Sequence, residues 1–115
     1  MPFSSYYAGK KILLTGITGF KGSWLAVWLE MLGAEVHGIG LEPDTSPALC
    51  DMLSLRELAH VEILDIRDAA RLRDYLLELR PDMVFHLAAQ ALVRRSYEVP
   101  LETLDTNFMG TANLL

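Results

Sequence analysis

The chain has 115 residues, 51% of them hydrophobic and 22% charged, and a formal net charge of −5. That length holds at most one small domain with a sizeable core, and an acidic balance without runs of Lys or Arg excludes a phosphate-tracking surface for nucleic acid. The single cysteine, Cys50, excludes an internal disulfide, and with no His/Cys pairing at ligand spacing no metal centre is expected.

The opening stretch, Met1 to Tyr7, lacks the charged and apolar blocks of a signal peptide, and no apolar run approaches the roughly 20 residues that span a bilayer. A soluble, cytoplasmic protein follows as the expectation, with Cys50 an ordinary reduced thiol. Tyr6 with Lys10, and Tyr7 with Lys11, have the spacing of a catalytic Tyr and its Lys partner. Such a pair must stack one helical turn apart beside a cofactor, and Gly9 and the onset of the sheet break any helix here, so neither pair is read as catalytic.

Lys11 to Thr15 is an apolar run of strand length, and Gly22 to Leu32 reads as a helix with Leu25, Leu29 and Leu32 at helical spacing, ended by Gly33. Trp24 and Trp28 share one face of that helix and are assigned to core or interface packing. A second strand, Glu35 to Leu41, runs into a turn-rich loop, Glu42 to Pro47, and then a short helix. Val61 to Leu64 is a third strand. Asp68 caps the next helix, whose apolar face is Leu72, Tyr75, Leu76 and Leu79, and Pro81 closes it. Met83 to Leu87 is a fourth strand, and Pro100 opens a last helical pattern still running at Leu115. Strands alternating with helices at this spacing imply right-handed βαβ units and a doubly wound parallel sheet of the Rossmann type. Residues 1–115 are expected to be the N-terminal part of a dinucleotide-binding domain, with the rest of that domain and a substrate domain further along a longer chain.

The chemistry concentrates at the strand ends. Gly16-Ile17-Thr18-Gly19-Phe20-Lys21-Gly22 links the first strand to the first long helix. Glycines there let backbone approach a pyrophosphate and aim free N–H groups, with the positive helix end behind them, at its charge. The spacing is G-x-x-G-x-x-G rather than G-x-G-x-x-G, so the strand–turn–helix setting carries the assignment. Glu42, roughly 20 residues past Gly22, is placed to accept from an adenine ribose and to repel a 2′-phosphate, favouring NAD over NADP; a solvated loop carboxylate is the other reading. Asp65 and Ile66 end the third strand, where Asp65 either accepts from an adenine amino group or helps cap the turn Asp65-Ile66-Arg67-Asp68. Leu87-Ala88-Ala89-Gln90 follows the fourth strand, and small Ala88 and Ala89 leave room for a nicotinamide ribose. His86, inside an apolar strand, is assigned to hydrogen-bonded packing rather than catalysis.

Thr15 to Leu25, Asp65 to Asp68, Phe85 to Gln90 and Thr106 to Thr111 together resemble the extended short-chain dehydrogenase/reductase family. Within it, the Gly19 to Leu25 block, Thr45-Ser46-Pro47 and Ala89 to Tyr97 look most like the dehydratases that act on CDP-glucose. Ile17, Ala91 and Phe108 depart from the usual histidine, proline and valine. The resemblance implies that Gly16, Gly19, Phe20, Lys21 and Gly22 surround the pyrophosphate of NAD, Asp65 and Ile66 the adenine, and Leu87, Ala88, Ala89, Gln90 and Asn107 the nicotinamide side. It implies a nucleotide-sugar substrate oxidised at C4, dehydrated across C5 and C6 and reduced at C6, feeding deoxysugar synthesis for a surface polysaccharide such as the O-antigen of lipopolysaccharide. It also implies a homodimer or higher homo-oligomer. The catalytic residues are expected beyond Leu115, so the segment alone is expected to be inactive, and to be marginally stable or to associate. A sugar-nucleotide epimerase, another member of the family, and a non-catalytic dinucleotide-binding module are the alternatives.

Overall fold

A computed structural model describes residues 4–43 and 48–115. The elements in order are α1 (Ser4–Tyr7), β1 (Lys11–Thr15), α2 (Phe20–Met31), β2 (Glu35–Gly40), α3 (Leu49–Met52), α4 (Leu55–Leu58), β3 (His60–Ile63), α5 (Ala69–Leu79), β4 (Met83–His86), α6 (Val93–Glu98), α7 (Pro100–Leu104), a π-helical turn (Asp105–Met109) and α8 (Gly110–Leu114). The strands form one parallel sheet in the order β3-β2-β1-β4. Strand addition therefore runs outward from β1 to β3 and then jumps back to the other side of β1, which is the doubly wound expectation.

Side chains alternate across the sheet and make two cores. Ile12, Leu14 and Val36 face one side and bury Ala26 and Leu29 of α2, Cys50 of α3 and Leu55 of α4. Leu13 and Ile39 face the other and bury Leu64, Ile66 and Leu72, with Tyr75, Leu76, Leu79 and Leu114 around them. Asp68 caps α5 by accepting from the Arg71 N–H at 3.2 Å, and Arg80, in the left-handed region at φ 49°, ends that helix just before Pro81.

Several boundaries differ from expectation. α2 begins at Phe20, two residues early, because Gly19 is already its cap. β2 ends at Gly40, β3 starts at His60 and stops at Ile63, and β4 stops at His86. One short helix after the loop is two single turns, α3 and α4. The last helical pattern begins at α6, ahead of Pro100, and is interrupted at Val99 because proline cannot supply the N–H that would carry the ladder through. Trp24 and Trp28 stay about half exposed, on the outer side of α2 with Phe20 and Met31. They are not core in this structure; Gly22, Ser23, Ala26 and Leu29 are the residues α2 buries. Thr45-Ser46-Pro47 lies outside the described residues. Tyr6 and Lys10 make a local cation–π contact, 3.7 Å from Nζ to the ring centroid, before the start of β1.

Candidate functional site

The four parallel strands present their carboxyl ends along one edge, and the loop after β1 organises it. Gly16 has φ +76°, a left-handed conformation that disfavours any side chain, and a Cβ there would stand 2.8 Å from the Ala88 nitrogen and 2.9 Å from the Leu87 carbonyl carbon. The loop after β1 thus packs backbone to backbone on the loop after β4. A Cβ on Gly22 would lie 2.0 Å from the Gly16 carbonyl oxygen, so the first turn of α2 rests directly on the same loop. Buried Ser23 ties the two together by donating from Oγ to the Ile17 carbonyl at 2.9 Å.

Gly19 caps α2 without any side-chain hydrogen bond. The first N–H groups of a twelve-residue helix are therefore left without a side-chain acceptor at its positive end, a place suited to an anion. Exposed Phe20 and Lys21 follow the cap, and the Lys21 ammonium adds positive charge at this edge.

A cleft of about 180 Å³ opens beside the cap, lined by Gly16, Thr18 and Gly19 of the first loop, Gly40 and Leu41 after β2, Leu64, Asp65 and Ile66 after β3, and Leu87, Ala88 and Ala89 after β4, with Ile39 and Thr106 completing it. The Asp65 carboxylate is already engaged. It accepts from the Arg67 backbone N–H at 2.9 Å and from the Arg67 guanidinium at 2.6–3.1 Å, and the guanidinium hydrogen bond holds its pKa below the usual carboxylate value despite partial burial. The turn reading of Asp65 is the one this geometry displays, and the carboxylate pinned by Arg67 also lines the cleft.

The wall after β4 is held by a chain of side-chain bonds. Thr15 Oγ1 accepts from the Leu87 and Ala88 N–H groups at 3.0 and 3.1 Å and lies 2.6 Å from His86 Nδ1. His86 Nε2 is 2.9 Å from Thr111 Oγ1, which donates to the Asn107 carbonyl at 2.7 Å. Asn107 in turn clasps Gln90: its Oδ1 accepts from the Gln90 N–H at 2.7 Å and its Nδ2 donates to the Gln90 carbonyl at 3.0 Å. The Gln90 side chain is spent on Leu92 and Thr103.

Of the residues singled out from sequence, Gly16, Gly19, Asp65, Ile66, Leu87, Ala88 and Ala89 line the cleft. Phe20 and Lys21 flank its helix cap, Gly22 supports the loop from beneath, and Gln90 and Asn107 brace the wall without lining it. Glu42 is exposed just past Leu41 and pairs with Arg56 at 3.3 Å; its carboxylate would have to leave that partner to reach a ribose. Sequence reasoning missed Thr18, Ile39, Gly40, Leu41, Leu64 and Thr106. All but Thr106 adjoin a strand's carboxyl end and follow from the topology once strand ends are known; Thr106 lies in a motif block that the sequence marks, but only the π-helical turn brings it to the cleft.

A glycine-capped helix and a cleft at the carboxyl edge of a switch-point sheet define a Rossmann-type fold of the short-chain dehydrogenase/reductase kind. Residues 13–115 match the family model described as GDP-mannose 4,6 dehydratase, and the chain belongs to that family, within the extended short-chain dehydrogenases/reductases. It is 50% identical over 111 residues to the CDP-glucose 4,6-dehydratase of Salmonella typhimurium, covering 96% of this chain and 31% of that protein. Among solved structures it resembles an epimerase from Methanothermobacter thermautotrophicus, with a TM-score of 0.82 and 31% identity over 99% of this chain and 34% of that one. A UDP-glucose-4-epimerase from Stenotrophomonas maltophila, solved with bound NAD and formylated UDP-arabinopyranose, gives a TM-score of 0.78 and 27% identity over 91% of this chain and 32% of that one. The chain spans about a third of the length of the curated relatives it matches.

Proposed function

We propose that this chain is the NAD-binding part of a sugar-nucleotide 4,6-dehydratase that converts CDP-glucose to CDP-4-keto-6-deoxyglucose. The observation that carries the reading is the cleft itself, where Gly16, Gly19, Asp65, Ala88 and Ala89 converge beside a helix start that no side chain caps. The 50% identity to a CDP-glucose 4,6-dehydratase supports the choice of sugar nucleotide.

NAD, when bound, supplies a hydride acceptor and donor within one turnover. The chain's residues bind and orient. The free N–H groups at the start of α2 take the pyrophosphate, with Phe20 and Lys21 beside it and Gly22 holding the loop in place. Asp65, fixed by Arg67, accepts from an adenine amino group next to Ile66. Glu42, released from Arg56, accepts from the adenine ribose and turns away a 2′-phosphate. Ala88 and Ala89 leave space for the second ribose, next to Leu87, while Asn107 holds Gln90 and thus that wall. A cleft of about 180 Å³ is smaller than the roughly 300–1,000 Å³ of sites that enclose a small molecule, which suits one wall of a site completed elsewhere. The groups that move protons on the sugar belong, on this reading, to the remaining length found in the longer relatives.

We further place the protein in the cytoplasm as a homodimer or higher homo-oligomer. Among the described residues no helix is long and apolar enough to cross a membrane, and Leu101, Leu104 and Phe108 stand exposed along the last helical stretch, as a surface packed on a second copy would need. A second reading, a sugar-nucleotide epimerase, is favoured by the likeness to the two epimerase structures.

The test is calorimetric titration of the full-length protein with NAD and with NADP, followed by incubation with CDP-glucose, UDP-glucose and GDP-mannose. NAD binding and a 4-keto-6-deoxy product from CDP-glucose alone are expected. A C4 epimer from any of the three would select the second reading, and the absence of dinucleotide binding would overturn both.

A further inference from the structure

The end of the sheet away from the cleft carries a constellation that the dehydratase reading does not use. Glu35 and His37 are two residues apart on β2 and so share a face, and His60, the first residue of β3, is the register partner of His37. The two imidazole rings stack with centroids 4.5 Å apart and planes 14° from parallel. His37 Nε2 is 3.0 Å from Glu35 Oε1, and one ligand atom from each of the three residues lies within 4.8 Å of the other two.

We propose that Glu35, His37 and His60 form a binding site for one divalent cation of the zinc class, clipping β2 to β3. Two imidazoles and a carboxylate are a three-ligand set found at zinc, and water completes the fourth position at such sites. Zn–N bonds of about 2.0–2.1 Å place tetrahedral ligand atoms roughly 3.4 Å apart, a contraction from the present spacing that side-chain rotation supplies. Glu35 and His60 are exposed and His37 is partly so, which leaves the ion an entry path. The neighbouring charges leave the carboxylate free. Lys11 is the register partner of Glu35 on β1, but its Nζ donates to the Leu79 carbonyl at 3.3 Å, and Glu62, next on this face of β3, is taken up by Arg71 at 3.2 Å. Imidazole favours zinc, copper and nickel over magnesium or calcium.

The ligands lie two to five residues up β2 from the cleft-lining Ile39 and Gly40, on the order of 7–16 Å at the rise of a strand. None of the three lines the cleft, so the cation acts on stability, not on hydride transfer. The rest of the chain offers little competition. Of its three histidines and one cysteine, only His86 and Cys50 lie outside the site; both ring nitrogens of His86 are engaged by Thr15 and Thr111, and Cys50 is buried.

The experiment is titration of the purified full chain with ZnCl₂, and separately MgCl₂, by calorimetry and thermal unfolding, alongside His60→Gln and Glu35→Gln. One zinc per chain, a rise in Tm with zinc and none with magnesium, and affinity falling at least about tenfold in each variant are expected, since loss of even an outer partner of a metal ligand costs 10–100-fold. Wild-type protein loaded with one equivalent of Cu²⁺ gives a readout that no variant's folding can obscure: nitrogen hyperfine splitting from two imidazoles is expected in its electron paramagnetic resonance spectrum. Zinc binding of undiminished strength in His60→Gln, or a copper spectrum without two nitrogens, overturns the proposal. Failure of NAD binding would leave it standing, because the two sites share no residue.

Discussion

Thr15 and His86 join β1 to the end of β4 through a 2.6 Å contact between Oγ1 and Nδ1, and its direction can be worked out. Thr15 Oγ1 already accepts two N–H groups, from Leu87 and Ala88, so its own proton goes to His86 Nδ1. The imidazole is then neutral with its proton on Nε2, donating to Thr111, which passes its hydroxyl proton to the Asn107 carbonyl. Replacing Thr15 by Val keeps the shape and removes the shared acceptor. Thr15 is fully buried, and a buried donor left unsatisfied costs about 1–3 kcal/mol, so Thr15→Val is expected to lose at least that much in urea denaturation. A loss under about 0.5 kcal/mol would mean that water or a shifted backbone replaces the hydroxyl.

The same geometry sets a pH dependence. Desolvation by burial lowers the His86 pKa from its ordinary 6.5, and a second ring proton would point Nδ1–H at a hydroxyl whose acceptor capacity is spent. Between the folded value and 6.5 the unfolded chain binds more protons than the folded one, so stability rises with pH across that window. The contribution is complete above 6.5 and is lost as pH falls through the window towards the folded value. Asp65 and Glu35, whose folded pKa values are lowered from 3.8 and 4.5, act in a separate and more acid range. Unfolding free energy measured from pH 7.5 down to 5 should slope in the wild type and flatten in His86→Gln; equal slopes would remove His86 from the account.

Much of this arrangement is legible in the sequence. Lys11 to Thr15 is marked as a strand because an apolar run between Gly9 and Gly16 allows little else, and Asp68 is recognisable because a capping side chain precedes a clean 3.6-residue stripe. α2 was legible as a helix and not in its orientation. Its apolar residues surround it, so periodicity selects no face, and the buried side is chosen by small Gly22, Ser23 and Ala26, which let the helix approach the sheet while Trp24 and Trp28 stay outside. α6 was invisible because it buries nothing, leaving no apolar stripe to read. Glu35, His37 and His60 were missed for another reason: 23 positions separate the two histidines, and only the parallel register of β2 and β3 brings them together.

The three motif glycines should separate when each is changed to alanine. At Gly22 the new methyl meets the Gly16 carbonyl at 2.0 Å, with backbone on both sides and no flexible group to yield. Gly22→Ala is therefore expected to destabilise by at least about 1–3 kcal/mol, the usual cost of overpacking, and Gly16→Ala likewise, with a positive φ added to the clash. At Gly19 the nearest atom is the Gly16 carbonyl oxygen at 3.3 Å, which a shift of a few tenths of an ångström relieves. Gly19→Ala should fold with near wild-type Tm yet lose NAD affinity, because its methyl stands at the helix cap where a pyrophosphate would rest. Normal NAD binding by a folded Gly19→Ala protein would show that the cap is not the phosphate site.

Glu42 provides the test of cofactor choice, since its only polar partner among the described residues is Arg56 and both side chains are more than half exposed. An exposed pair of this kind contributes about 0–1 kcal/mol, so Glu42→Ala should leave Tm nearly unchanged. If Glu42 accepts from the adenine ribose, its loss removes both a hydrogen-bond acceptor for NAD and the repulsion of a 2′-phosphate, and it frees Arg56 to attract that phosphate. The ratio of NAD to NADP affinity should then fall by about tenfold or more, as expected for 1.4 kcal/mol of discrimination, with NADP gaining in absolute terms. An unchanged ratio in a stably folded variant would leave Glu42 a solvated partner of Arg56 and move the source of any preference to Leu41 and the residues that follow it.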